Sequence, residues 1–268
     1  MRYVVVLLSV LSLFVAAGPA GAGERVALVV GNGAYKNIQQ QLPNAPISAG
    51  AMADLLRKTG FDVIEGTDLA RSEMTQRIID FGRKAQGADI AVFYYSGHAI
   101  AVNGTEYLLP VDAVIKSEME IKLAGGIEVG VTLDQTMGGA KVKLAFLDAS
   151  RDNPFPPAIP SATTAPHSVS VKPDISESKT ADDSLTVYAS SPGEAAPDGP
   201  AGTVRPLTRA LIANIASPGV DLQAAMTNVR AQVSEITNAK QVSWAHSNLS
   251  GTVCLNPAPV ATGSAGSK

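Results

Sequence analysis

The sequence predicts an α/β domain, a mainly parallel β-sheet flanked by helices. Short apolar, β-branched runs alternate along the chain with segments whose apolar residues recur at helical spacing. One of those runs, Asp89–Ser96 (DIAVFYYS), is apolar at successive positions, as in a strand buried on both faces. The 268 residues are 46% hydrophobic and 17% charged, which gives apolar surface for a large core and too little charge for a disordered chain.

Taken in order, Arg25–Val30 (RVALVV) reads as a buried strand ending at Gly31. Ser48–Thr59 reads as a helix with Met52, Leu55 and Leu56 on one face, stopped by Gly60. Phe61–Glu65 is a second strand, and Ser72–Ala85 a second helix carrying Met74, Ile78, Phe81 and Ala85 on one stripe. Asp89–Ser96 is the central strand, Thr105–Leu109 one arm of a small hairpin, and Thr132–Met137 a short helical turn capped by Thr132. Lys141–Asp148 (KVKLAFLD) is the next strand. From Pro154 to Asp183 the composition shifts to Pro, Ser and Thr without helical period, as in a loop or linker. Leu185–Ser190 resumes the strands. Pro206–Ile215 and Leu222–Thr237 follow as helices, the second with Leu222, Met226, Val229, Val233 and Ile236 aligned. The Ala, Gly, Ser and Pro tail after Pro257 reads as disordered.

The formal net charge of -3, without a basic run, leaves no electrostatic footprint for nucleic acid. At the N-terminus, Met1-Arg2 precedes an apolar run from Val4 to Ala17 and a small-x-small site at Ala20-Gly21-Ala22. This is the layout of a secretory signal peptide cleaved after Ala22, and the run is shorter than the roughly 18 apolar residues of a spanning helix. The expectation is an exported protein, periplasmic or secreted, with no stable membrane span after cleavage. The single cysteine, Cys254, cannot form an intrachain disulfide and reads as a small buried hydrophobe.

In open α/β sheets functional groups collect beyond the carboxyl ends of the strands. Two strand ends carry polar clusters, Tyr95-Ser96-Gly97-His98-Ala99 and Asp148-Ala149-Ser150-Arg151-Asp152-Asn153. Were these strands neighbours, His98 and Ser150 would face each other, a base beside a hydroxyl nucleophile. Spacing alone leaves a second reading open, in which His98 is a structural hydrogen-bonder. Gly31-Asn32-Gly33 lacks the third glycine of a dinucleotide fingerprint, Lys36 standing in its place, and reads as a plain turn. The three histidines, His98, His167 and His246, have no ligand spacing, and Asp182-Asp183 reads as a solvated cap, so no metal and no cofactor are expected.

RVALVVGNGAY, LPNAPISAGAMADLLRKTGFDV, DIAVFYYSGHA, YLLPVDA and LAFLDASRDNPF occur in an order that resembles the caspase-like large subunit of bacterial metacaspases and orthocaspases. LTVYASSPGEAAPDG, the Leu222–Val233 helix and QVSWAHSNLSG are similar to the small-subunit part, so the resemblance spans Arg25 to Leu255. It implies the caspase-haemoglobinase fold, with a six-stranded, mainly parallel sheet. It also implies a division into a signal peptide (1–22), a large-subunit-like region (23–153), an inter-subunit linker (154–184), a small-subunit-like region (185–256) and a tail (257–268). Active relatives are cysteine endopeptidases that cut after Arg or Lys, often including their own linker, where Lys172 and Lys179 are the basic residues here.

The resemblance assigns roles position by position. His98 matches the catalytic histidine of S-G-H-G, and Ser150 stands where D-x-C has the nucleophilic cysteine. Asp148 and Ser96 match residues of the S1 pocket that receives the basic side chain, while Ser48 replaces the aspartate of N-D-A in that pocket. Ala99 replaces the glycine at the oxyanion-hole position, which it shares with Ser150. A thiol of pKa about 8.5 can be held as thiolate beside a histidine, whereas a serine hydroxyl needs a tightly oriented base. Losing one pocket acid removes a charge-assisted partner worth about 1.5–3 kcal/mol. Ala99 would be strained if its site required positive φ. These departures imply a degenerate site in a pseudo-peptidase that binds a peptide or protein, with Asp148 and Ser96 open to a basic side chain. An active endopeptidase using Ser150 and His98, and a structural scaffold domain, are the alternatives.

Overall fold

The computed structural model describes residues 23–102, 104–114, 117–150, 183–190 and 196–258. The expected signal peptide (1–22), most of the expected linker and the tail from 259 onward lie outside the described residues.

Strands β1 (Arg25–Gly31), β2 (Asp62–Thr67), β3 (Ile90–Val102), β6 (Val142–Ser150), β7 (Asp183–Tyr188) and β8 (Trp244–Ser247) form one sheet in the order β2-β1-β3-β6-β7-β8. Every pairing is parallel except β7 with β8. Strand β4 (Thr105–Leu108) turns back antiparallel on the far half of β3, and the short β5 (Ile127–Glu128) pairs with β4.

Period-2 alternation divides the side chains between two cores. Ala27 and Val29, Val92 and Tyr94, and Leu144 and Phe146 pack on helices α1 (Asn44–Lys58), α5 (Pro206–Ile215) and α6 (Leu222–Ile236). Val26, Leu28 and Val30, with Ala91, Phe93, Tyr95, Ala145 and Leu147, pack on α2 (Arg71–Ala85) and α4 (Val129–Met137). A third cluster, including Tyr35, Leu42, Tyr107 and Leu109, contains apolar residues that follow β1, together with β4 and its flanks. Arg25 ties the start of the sheet to the chain's far end. Its guanidinium donates to the Thr59 carbonyl at 2.7 Å and the Cys254 carbonyl at 3.0 Å, and lies over the Phe61 ring. Cys254 is half-buried rather than buried.

Several boundaries differ from the sequence reading for local reasons. Helix α1 begins at Asn44, so Pro46 lies inside it. The first helical turn needs no intrahelical N–H donors and tolerates proline there. Strand β3 runs through Gly97 and His98 to Val102, because it exchanges β6 for β4 as its partner instead of ending at Ser96. Thr132 lies within α4 and does not cap it; its carbonyl accepts the Thr136 hydroxyl. Strand β7 starts at Asp183, so the last two residues assigned to the linker belong to the sheet, and the Asp183 carboxylate accepts the Ser250 N–H. A short helical segment, α3 (Glu118–Glu120), and a π-turn over Ile121–Gly125 precede β5.

Candidate functional site

Strands β3 and β6 pair in register to their carboxyl ends, so Ser96 lies beside Asp148, Gly97 beside Ala149 and His98 beside Ser150. The expected juxtaposition of His98 and Ser150 is thus set by the parallel ladder itself. Asp152 and Asn153 lie outside the described residues.

The His98 backbone is held by two tyrosines. Tyr95 Oη lies 2.9 Å from the His98 carbonyl and 3.0 Å from that of Leu109, both of which can only accept. Tyr35 Oη accepts the His98 N–H at 2.7 Å and lies 3.2 Å from Tyr95 Oη, to which it donates. Burial pushes both phenols well up, so they remain protonated donors. Gly97 permits this approach, since a Cβ there would sit 2.5 Å from Tyr95 Oη and 2.7 Å from Tyr35 Oη.

The His98 ring is 1% exposed and packs on Tyr35. Its Nε2 lies 2.9 Å from the Gln40 carbonyl, and because a carbonyl only accepts, Nε2 carries the hydrogen. Burial pushes the imidazole below its ordinary pKa; the Gln40 bond opposes this and the Arg205 charge adds to it. The ring is therefore neutral, with its basic lone pair on Nδ1, which is buried without a hydrogen-bond partner among the described residues. Ala99 follows in extended β3 backbone, opposite Leu108, with its side chain in the apolar cluster under α2 and α4. It is not among the residues of positive φ, so the expected strain is absent.

The three pocket positions are all buried: Ser48 and Ser96 at 0% and Asp148 at 1% exposure. Asp148 Oδ2 accepts the backbone N–H of Thr208 at 3.2 Å and the Thr208 hydroxyl, which also bonds Tyr94 Oη. Thr208 is the third residue of α5, whose preceding residue, Arg205, makes no side-chain cap, so Asp148 performs the N-cap's role from another strand. Asp148 Oδ1 faces a guanidinium. Arg205 is 0% exposed, with Nε 3.4 Å from Asp148 Oδ1 and 3.7 Å from Asp198 Oδ1, while Nη2 donates to the Ala196 carbonyl at 3.3 Å. The Arg205 N–H donates to Ser48 Oγ at 2.9 Å, and Ser48 in turn donates to the Asn44 carbonyl. Asn44 fixes the adjoining loop, donating to the carbonyls of Asp198 and Pro200 and accepting from the N–H groups of Gly202 and Thr203.

Ser48, Ser96 and Asp148 thus converge at one end of the sheet, but Asp148 already has an internal cation instead of lying open to an incoming basic side chain. The sequence reading missed Arg205, Asp198 and Asn44. One signal was present: a cation immediately before Pro206 lies at the unfavourable end of a helix dipole, where nearby acids would offset the cost.

The Gly31-Asn32-Gly33 turn is closed by its own chain, the N–H groups of Gly33 and Ala34 both donating to Asp68 Oδ1. Among the described residues no group of metal-ligating side chains converges, and no helix is long and apolar enough to cross a membrane.

Comparison with known proteins agrees with this architecture. The crystal structure of caspase-1 from Spodoptera frugiperda superposes with a TM-score of 0.60 at 16% identity, over 88% of this chain and 91% of that one, which establishes the fold. Mucosa-associated lymphoid tissue lymphoma translocation protein 1 of Homo sapiens is 29% identical over 92 residues, and its Mus musculus homolog matches to the same extent. The match covers 34% of this chain and only 11% of those relatives. Residues 24–253 match the Caspase domain (peptidase C14) family, and with that span the chain belongs to it.

Proposed function

We propose that the protein is an exported caspase domain of the bacterial metacaspase and orthocaspase type that binds a peptide or protein without cleaving it. The observation that carries this reading is the state of Asp148. Its carboxylate is buried, with one oxygen capping α5 and the other beside Arg205. A substrate's basic residue would have to displace Arg205 or break the α5 cap to reach it. Serine at position 150 supports the same reading, because a serine hydroxyl, unlike a cysteine thiol, is not readily held as an anion near neutral pH. Family membership supports peptide binding, and the signal-like layout ahead of Gly23 supports export.

A second reading is an endopeptidase with Ser150 as nucleophile and His98 as base. The His98 ring favours it, since the Gln40 carbonyl fixes the tautomer that leaves Nδ1 as proton acceptor, the orienting third group that a serine mechanism needs. Incubation of the purified protein with fluorogenic peptides ending in Arg or Lys tests the choice. The first reading expects no hydrolysis above a Ser150→Ala control, and the second expects turnover that this control lacks.

A further inference from the structure

We propose that Arg205 is a resident guest in a guanidinium-binding site, which closes the cleft to basic side chains and takes up an external guanidinium once the Arg205 side chain is removed. The inference deepens the reading above and rests on its account of Asp148.

Charge balance is the first argument. Asp148 and Asp198 bring two carboxylates to one guanidinium, and burial with like charge nearby holds Asp198 above its usual range in spite of Arg205. Without that cation, two acids would be left beside the buried end of β6, an arrangement that strongly attracts a replacement cation.

The second argument is looseness. A guanidinium has five N–H donors, yet among the described residues Nη2 donates to the Ala196 carbonyl while Nε and Nη1 have no hydrogen-bond partner. Both carboxylate contacts of Nε, at 3.4 and 3.7 Å, exceed a normal hydrogen bond. The side chain is held by charge and enclosure more than by a fitted fork, as expected of an occupant that another guanidinium could replace.

The third argument is that the walls have supports of their own. Asp148 is fixed by Thr208, and Asp198 lies in the loop that Asn44 holds from α1. The Arg205 backbone is anchored through its N–H to Ser48. None of these bonds uses the Arg205 side chain, so its truncation leaves a polar cavity with the acids in place.

The test is thermal denaturation of the purified wild type, Arg205→Ala and the double variant Arg205→Ala/Asp148→Asn, each titrated with methylguanidinium chloride, agmatine and, as controls, sodium chloride and urea. Arg205→Ala alone should melt lower and recover saturably with methylguanidinium and agmatine. The recovery should be about 3–6 °C at tenfold the dissociation constant. Wild type and the double variant should show no saturable shift. Equal responses to methylguanidinium and sodium chloride in Arg205→Ala, or saturable agmatine binding by wild type, would overturn the inference. If Arg205→Ala is recovered only unfolded, refolding yield supplies the readout: a yield raised by methylguanidinium but not by sodium chloride supports it, and equal yields overturn it. Peptide turnover by wild type would defeat the non-proteolytic reading. Failure of guanidinium uptake alone defeats only the resident-guest assignment.

Discussion

Asp148, at the carboxyl end of β6, caps helix α5 by accepting both the N–H and the hydroxyl of Thr208. The residue that the motif resemblance matches to a substrate-binding acid is in this fold a structural joint between the central sheet and the C-terminal part of the chain. Asp148→Ala should therefore remove a cap and leave Arg205 buried with one carboxylate contact fewer, costing about 3–5 kcal/mol. Urea denaturation measures it. An effect below about 1 kcal/mol would show that the joint is not under load.

Gly97 and Gly50 should respond to alanine with opposite signs. At Gly97 a Cβ overlaps two tyrosine hydroxyls, and the substitution should destabilise by about 1–3 kcal/mol. Gly50 lies within α1 with nothing within 4 Å of an added Cβ. Gly50→Ala should stabilise by about 0.5–1 kcal/mol by lowering the unfolded chain's freedom. Melting curves of the two variants against wild type check the pair.

The depressed pKa of His98 makes a pH prediction with a definite sign. Below the ordinary histidine value near 6.5 the unfolded chain takes up a proton that the folded protein resists. The neutral ring's contribution is thus complete above about pH 6.5 and declines as pH falls toward the lowered folded value. Asp198, raised above its usual range, works the other way at lower pH, favouring the fold as it becomes protonated. Wild type should lose stability between pH 7.5 and 5.5 more steeply than His98→Gln, as read from melting temperature. Parallel profiles would contradict the assignment.

The proposed export predicts processing. The protein recovered from the periplasm of a Gram-negative host should have an intact mass that begins at Gly23, after Ala22. An unprocessed cytoplasmic chain would contradict the signal-peptide reading.

The sheet was legible in the sequence because each central strand is a dense apolar run, and α5 and α6 because their stripes are regular. Strand β8 escaped because it is a four-residue edge strand, WAHS, with no alternation to read. The start of α1 escaped because Pro43 and Pro46 look like loop residues until Pro43 is seen at the N-cap and Pro46 in the first turn. Motif order singled out His98, Asp148 and Ser48 as candidate site positions without a structure. It could not show that Asp148 already has a cation, because Arg205 reaches it only through the docking of α5 on the sheet. The contact of Arg205 with Asp148 is a tertiary feature with only a faint local signature, an arginine at a helix start.

The most direct test of the account is hydrolysis of Arg- and Lys-ended fluorogenic peptides by wild type, Ser150→Ala, Ser150→Cys and His98→Ala. The account predicts no turnover by wild type, and none by Ser150→Cys, since restoring the thiol leaves Arg205 in the pocket. Turnover by wild type that disappears in both Ser150→Ala and His98→Ala would contradict it and establish a serine-nucleophile peptidase.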